Sequence, residues 1–375
     1  MASPANPQVK LLHRMVDIYS PTGEESEIAH LLVEEMRSLG LQARTDEVGN
    51  AVGESSGEHP AFLLCGHMDT VPGELPVGIR NNKLYGRGAV DAKSALATIV
   101  SAAGVLVQKD FPAKLIVVGA VEEEGKSRGI KNVIAKGTKA EYGVFGEPSG
   151  IDQITIAYKG SLNLNIQCHT KTGHSSAPWL YRNAIDESID LWSRLRNVHF
   201  PEERTDSKFH SLTSTITSMR GGSPFSTVPS YCELNANIRL PPAIPSKRFL
   251  DEASVIADQF RSERGDVRVE IEPDDFCEAY EADVNSNLVR GISWGVRDVR
   301  KTQAVLLRKT GTGDMNLAGA SLGVPMVTYG PGDSKLDHTD DECVDLDEYM
   351  DSIVILQKGL VRTLELHNRL EQRRI

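Results

Sequence analysis

Four apolar runs in the chain stop abruptly at glycine or at acidic and imidazole side chains. Ala61 to Cys65 gives way to Gly66-His67-Met68-Asp69, and Lys114 to Val121 to Glu122-Glu123-Glu124-Gly125. Tyr142 to Phe145 leads into Gly146-Glu147-Pro148, and Val324 to Tyr329 into Gly330-Pro331-Gly332 and then Asp337-His338-Thr339-Asp340-Asp341-Glu342. Short apolar runs bounded in this way predict buried strands, and open α/β sheets place their ligands at the carboxyl ends of such strands. Side chains alternate faces along a strand, so His67 and Asp69 point the same way and Met68 points away.

Helical spacing fills the intervals. It predicts helices over Val9 to Ile18 and Ser26 to Leu39, broken by Ser20 to Glu25 and closed by Gly40. An alanine-rich segment, Ala92 to Val107, follows the turn Gly86-Arg87-Gly88 and Asp91. Strand, turn and helix alternate in this way to about residue 157, the pattern of helices packed on a mostly parallel sheet. Beyond Lys159 the texture changes. Ser161 to His169, Ser211 to Met219, Tyr231 to Leu240 and Val267 to Glu272 read as strands, and Asn183 to Val198 and Ser246 to Arg264 as helices. The order βαββαβ is that of a compact split module. The first layer then resumes with a helix over Ser286 to Val296, a strand over Gln303 to Leu307, a glycine-rich turn at Gly311 to Asp314 opening Met315 to Leu322, and a closing helix over Leu346 to Leu370. The expected architecture is therefore a discontinuous α/β domain, residues 1–157 and 272–375, interrupted by a second domain at residues 158–271.

Composition narrows the class. A chain of 375 residues with 40% hydrophobic and 25% charged content suits about two ordinary globular domains. The net charge of −11 argues against a nucleic-acid surface. The five cysteines, Cys65, Cys168, Cys232, Cys277 and Cys343, lie far apart with no CxxC pair, which suits reduced thiols rather than a disulfide framework. The start, MASPANPQVK, lacks the apolar core of a signal peptide, and no apolar run approaches the ~18 residues of a membrane span, so the expectation is a cytoplasmic protein.

The chemistry follows from the strand ends. A neutral imidazole and carboxylates suit zinc or a similar divalent ion, with a further carboxylate to fix the imidazole tautomer. His67-Met68-Asp69 alone reads more simply as a structural histidine, and each acidic run alone as a solvated loop. His or Glu just past several separate strands is the pattern of one sheet edge assembling a metal site. In the run Glu122-Glu123-Glu124 two registers are open: Glu123 as general base with Glu124 as ligand, or Glu122 as base with Glu123 as ligand. The glycine-rich turn around Gly313 is either a flexible loop or a backbone donor nest for a carboxylate or oxyanion. Arg239 is either an exposed strand residue or a fork for a substrate carboxylate.

Taken together, GHMDTVPG, GRGAVDAK, VEEEG, GEPS, GHSSAP and HTDDE resemble the dinuclear zinc hydrolases that include acetylornithine deacetylase, succinyl-diaminopimelate desuccinylase, aminoacylase and carboxypeptidase G. The likeness runs in order from about residue 10 to about residue 360. The short connection from Pro72 to Leu84, GRGAVDAK and GTGDMN are most similar to the subgroup that releases lysine or ornithine from an amino-group carrier protein in lysine and arginine biosynthesis. The resemblance implies a zinc-peptidase-like catalytic domain with an inserted ferredoxin-like domain that acts as lid and dimerisation surface. It implies His67, Asp91 and Glu147 on one divalent ion, and Asp91, Glu124 and His338 on a second, as Zn2+ or Co2+. Glu123 would be the general base and Asp69 the carboxylate behind His67. His174 would stabilise the oxyanion in the neighbouring subunit of a homodimer, and Arg239 and Gly313 would bind substrate. A small-acyl deacetylase, a desuccinylase and a dipeptidase or carboxypeptidase are the alternative activities. An acidic carrier would be steered by Arg80, Arg87, Lys93, Lys126, Arg128 and Lys131 on loops after the metal-bearing strands.

Overall fold

The computed structural model describes residues 5–374, which divide into two compact units. One comprises the chain up to Ala157, Glu281–Arg308 and the segment from Gly313 onward; the other comprises Tyr158–Tyr280 with Lys309–Thr312.

The first unit opens with α1 (Pro7–Asp17), which has proline in its first turn and the Asn6 side chain accepting from the Gln8 amide. It continues through α2 (Ser26–Ser38), β1 (Gln42–Thr45), β2 (Ala51–Glu54), β3 (Glu58–His67), β4 (Gly78–Arg80), β5 (Lys83–Tyr85), α3 (Lys93–Gln108), β6 (Ala113–Ala120), α4 (Arg128–Ala135), β7 (Tyr142–Gly146) and β8 (Gln153–Tyr158). In the second unit β9 (Gly160–His169), α5 (Ala184–Arg196), β10 (Thr213–Gly221), β11 (Tyr231–Leu240), α6 (Ser246–Arg264) and β12 (Arg268–Cys277) follow. The return to the first unit brings β13 (Tyr280–Glu281), α7 (Asn287–Arg300), β14 (Val305–Lys309), α8 (Asp314–Leu322), β15 (Met326–Thr328), β16 (Cys343–Asp345) and α9 (Leu346–Arg374).

The large sheet is mixed, in the order β1-β2-β6-β3-β7-β15-β8-β13, with β14 also paired to β8. Its centre, β6, β3, β7 and β15, is parallel, and both faces are covered, so Phe62, Leu63, Leu64 and Cys65 are all fully buried. That is why the sequence shows a continuous apolar run there instead of alternation. Helix α3 lies against the carboxyl ends of these strands at very short range. A Cβ on Gly66 would come within 3.3 Å of the Leu96 Cα, and one on Gly146 within 3.1 Å of the Ala95 carbonyl carbon. Glycine at the last turn of β3 and β7 lets the helix settle where His67 and Glu147 emerge.

The second unit is built differently. Its sheet, in the order β10-β11-β9-β12, is antiparallel in every pairing described. One face of β9 and β11, including Leu164, Ile166, Leu234 and Ile238, joins Leu191, Trp192, Phe249 and Phe260 of α5 and α6 in a single core. The other face carries amides that bond across strands: Asn165 to Glu233 and Asn235, and Asn237 to Asn163. This is the alternation that the sequence predicts for half-buried strands.

Several boundaries move. The predicted last strand of this unit, Val267 to Glu272, runs on to Cys277, and the unit extends to Tyr280 instead of residue 271. The continuation was masked because β12 is an edge strand whose outer half is exposed and carries Pro273 at a register shift, features that edge strands tolerate. Short β1, β2 and α4, and the small sheet β16-β5-β4, carry too few residues to show a period.

Candidate metal centre

His67 ends β3 and is 2% exposed. Its Nδ1 lies 2.9 Å from the Asp69 backbone oxygen and 3.5 Å from the Asp69 carboxylate, which directs Nε2 the other way, to 3.2 Å from Asp91 and 3.6 Å from Glu147. The Asp69 carboxylate does more than face the imidazole. It accepts from the Glu123 and Glu124 amides at 3.0 and 3.1 Å and from the Thr22 hydroxyl at 2.8 Å, so it fixes the acidic loop after β6. Burial opposes its charge, but His67, Thr22 and the Glu123 amide outweigh that and hold its carboxyl below the usual carboxylate value.

Glu122 adopts a left-handed backbone, φ 59°, and its side chain pairs with Arg128 at 2.9 Å. The bend ends strand alternation, so the next two carboxylates both turn into the site. Single ligand atoms from His67, Asp91 and Glu124 lie within 4.8 Å of one another, and so do those from His67, Glu123 and Glu147. His338, also left-handed at φ 62°, brings Nε2 to 3.0 Å from Asp91 and 2.9 Å from Glu124. Asp91 thus lies between the two imidazoles.

The electrostatics of the cluster suit a cation. Burial pushes Glu123 up to about 8, with Asp314, Glu124 and Asp91 adding like-charge repulsion. Burial also raises Glu124, and Asp91 adds to it. For His67 burial favours the neutral ring, but Glu147, Asp69, Asp91 and Glu123 overcome it and hold the pKa well above the usual imidazole value. The hydrogen bond to Asp91 leads in raising His338 to about 9. Asp91 itself is held well below the usual value by both histidines, against its burial. Two nitrogen and several hard oxygen donors gathered with such excess negative potential form a donor set that fits divalent metal ions.

Two supporting residues were not singled out from the sequence. Glu342 is 1% exposed; it accepts from the Val90 and Asp91 amides at 2.9 and 3.0 Å and pairs with Arg87 at 2.9 Å, and so locks the backbone that presents Asp91. Its signal was its place at the end of Asp340-Asp341-Glu342. Asp314, in the first turn of α8, is 5% exposed, and burial pushes it up to about 7. Gly313 caps that helix, and a Cβ there would stand 3.6 Å from a Glu123 carboxylate oxygen.

The steering set needs correction. Arg87 and Lys93 are buried: Arg87 serves Glu342, and Lys93 donates to the Ile18 carbonyl at 2.6 Å, with burial pulling its pKa down to about 8. Neither is a rim cation. Arg80 lies 4.5 Å over the Tyr85 ring, Arg128 pairs with Glu122, and Lys131 donates to the Lys126 carbonyl.

Two expected site residues belong to the second unit. His174 sits in an exposed loop, bridged to Thr227, with its Nδ1 accepting from the Ser176 amide at 3.1 Å. Arg239 is on β11, and its Nη1 is buried with no hydrogen-bond partner among the described residues.

The family model described as Peptidase family M20/M25/M40 matches residues 63–362. A relative from Deinococcus radiodurans named LysW-lysine hydrolase is 32% identical over 94% of this chain and 96% of its own. One from Sulfurisphaera tokodaii named LysW-lysine/LysW-ornithine hydrolase is 31% identical over 90% of each chain. A Pyrococcus furiosus protein carrying the latter name provisionally is 38% identical over 94% of this chain and 96% of its own. Among solved structures, a tripeptidase from Staphylococcus aureus is similar with a TM-score of 0.78 at 22% identity, covering 95% of this chain and 98% of its own. An M20 family metallo-carboxypeptidase from Sulfolobus solfataricus is similar with a TM-score of 0.76 at 20% identity, covering 96% of this chain and 99% of its own.

Proposed function

The chain belongs to peptidase family M20/M25/M40, and from that premise we propose that it releases lysine or ornithine from an amino-group carrier protein by hydrolysing the amide bond between them. The relatives carrying that name support this reading, because they share 31 to 38% of their residues with at least 90% of this chain.

In this reading His67, Asp91 and Glu147 would hold one divalent ion and Asp91, Glu124 and His338 would hold a second, as zinc or cobalt. Bound there, the ions supply Lewis acidity to the scissile carbonyl and acidify a water molecule. Glu123 takes the proton of the attacking water and returns it to the departing amine. The Glu123 carboxylate clusters with His67 and Glu147, where an attacking water would stand. Asp69 orients His67 through its backbone oxygen and the Glu123–Glu124 loop through its carboxylate. Glu342 secures the Asp91 backbone.

The second unit has the order βαββαβ and serves in this reading as the ferredoxin-like lid and dimerisation domain. His174 from a second copy donates to the oxyanion that forms as the carbonyl is attacked. Arg239 receives the substrate carboxylate; its buried, unpartnered Nη1 supports an anionic ligand there. Gly313, with no side chain beside Glu123, leaves its edge of the site open to substrate.

The test is a comparison of kcat/KM for metal-loaded protein on carrier-linked lysine, carrier-linked ornithine and acetylornithine. The carrier-linked amides should be cleaved fastest. If acetylornithine is the better substrate and carrier-linked amides stay intact, the deacetylase reading replaces this one.

A further inference from the structure

A recess of about 440 Å³ lies among α7, α9 and β14, and none of its lining residues belongs to the metal cluster. Three guanidinium groups line it, Arg290, Arg297 and Arg362, and no acidic residue does. Arg290, Trp294 and Arg297 stand at positions i, i+4 and i+7 of α7, one stripe of the helix. The floor is apolar: Val289 is 1% exposed and Leu366 9%.

The charges of the recess are left open. Among the described residues the Arg290 and Arg297 side chains enter no hydrogen bond or ion pair. Asp298, the acidic residue next to Arg297, is engaged by Lys358 and Lys301. Arg362 pairs with Glu365 at 2.5 Å, and its Cζ lies 5.9 Å from the Trp294 ring centroid. In a chain of net charge −11, an acid-free recess lined by three guanidiniums beside an aromatic ring, two of them outside any hydrogen bond or ion pair among the described residues, concentrates positive potential.

We propose that this recess binds a small polyanion with a flat apolar body, the chemistry of a nucleoside phosphate. The arginine forks would take phosphate oxygens two at a time, and the Trp294 ring with the aliphatic floor would take the base. The volume falls within the range of small-molecule sites, about 300–1,000 Å³. This reading does not depend on the carrier substrate, because it uses no residue of the catalytic cluster.

Calorimetric titration of the metal-loaded full chain with ADP, pyrophosphate and adenosine tests it. ADP should bind saturably at one site per chain and tighter than pyrophosphate, and adenosine should not bind. Arg290→Gln and Arg297→Gln should each weaken ADP roughly 10-fold or more, since each removes charge-assisted hydrogen bonds. Trp294→Leu should bring ADP down to the level of pyrophosphate, and His67→Ala should leave binding unchanged. The proposal is overturned if neither phosphate binds, if binding survives the double arginine variant, or if His67→Ala abolishes it, which would put the anion at the metal centre. Equal affinity for ADP and pyrophosphate would overturn recognition of the base. Slower hydrolysis of carrier-linked substrate by Arg290→Glu, without anion binding by the parent protein, would make the recess a protein-docking surface and overturn it too.

Discussion

His67 and His174 show two ways in which this chain prepares an imidazole. His67 ends a strand buried on both faces, with one nitrogen held by a backbone oxygen and the other aimed at carboxylates 3.2 and 3.6 Å away. His174 sits in an exposed loop held by backbone contacts, a bridge to Thr227 and a bond from the Ala177 amide to its carbonyl, while its ring accepts only from the Ser176 amide among the described residues. The first needs nothing beyond its own unit to be positioned. The second acquires a role in the proposed chemistry only when a second copy supplies a site for it. The rigidity of a side chain and its importance to the reaction are therefore separate questions.

The largest effect should come from the rigid side. Glu123→Ala should lower kcat by at least about 10²–10⁴-fold with metal content retained, whereas Glu124→Ala should lose metal, as measured by elemental analysis beside single-turnover rates. Loss of metal in Glu123→Ala, together with loss of turnover at full metal content in Glu122→Ala, would restore the earlier register of the acidic run. His174→Ala should lower kcat by about 10²–10³-fold with normal metal content and normal unfolding. Co-refolding it with Glu123→Ala should recover part of the activity, since a mixed dimer holds one complete site; absence of recovery in verified mixed dimers would place His174 outside the chemistry.

Between these extremes stands support for the rigid side. Glu342→Ala leaves Arg87 as a buried unpaired charge, so denaturant unfolding should show a loss of about 3–5 kcal/mol. Asp91 should be displaced as well, weakening metal binding.

Metal affinity should rise with pH. In the metal-free protein His67 lies well above the usual imidazole value and His338 at about 9, so both are protonated at neutral pH and must lose protons to bind metal. Apparent affinity should therefore climb as pH increases toward about 9, with proton release detectable as buffer-dependent heat. The sign for stability is opposite: the metal-free fold gains from these imidazoliums below their unfolded pKa of about 6.5 and loses that contribution as pH rises through about 9. The smallest effect expected is a decline with salt in kcat/KM for a carrier-linked substrate and little change for acetylornithine. With Arg87 and Lys93 buried, that steering rests on fewer cations than the sequence suggested.

The parts of the site legible in the sequence are those where a strand ends. His67, Glu123, Glu124 and Glu147 were marked by the apolar runs that carry them, and the long helices by their period. Asp314 and Glu342 escaped notice because their roles depend on burial and on backbone amides far away in sequence. Arg87 and Lys93 misled for the same reason: charge suggests a surface until a partner 255 residues away, Glu342, or the Ile18 carbonyl is seen to take it inside. Exposed edges, as in the outer half of β12, hide strands because neither face there is asked to be apolar.

The place of β15 has a consequence during synthesis. This strand, Met326–Thr328, inserts between β7 and β8, although those two are neighbours in sequence and β15 emerges some 170 residues after β8. His338 follows later still. A chain emerging from the ribosome therefore holds most of the acidic cluster long before the last imidazole arrives, while the second unit, nearly all of it continuous in sequence, can already close upon itself. In the proposed reading hydrolytic competence waits for His338, so a product truncated before it should be unable to cleave amides even where its ends fold.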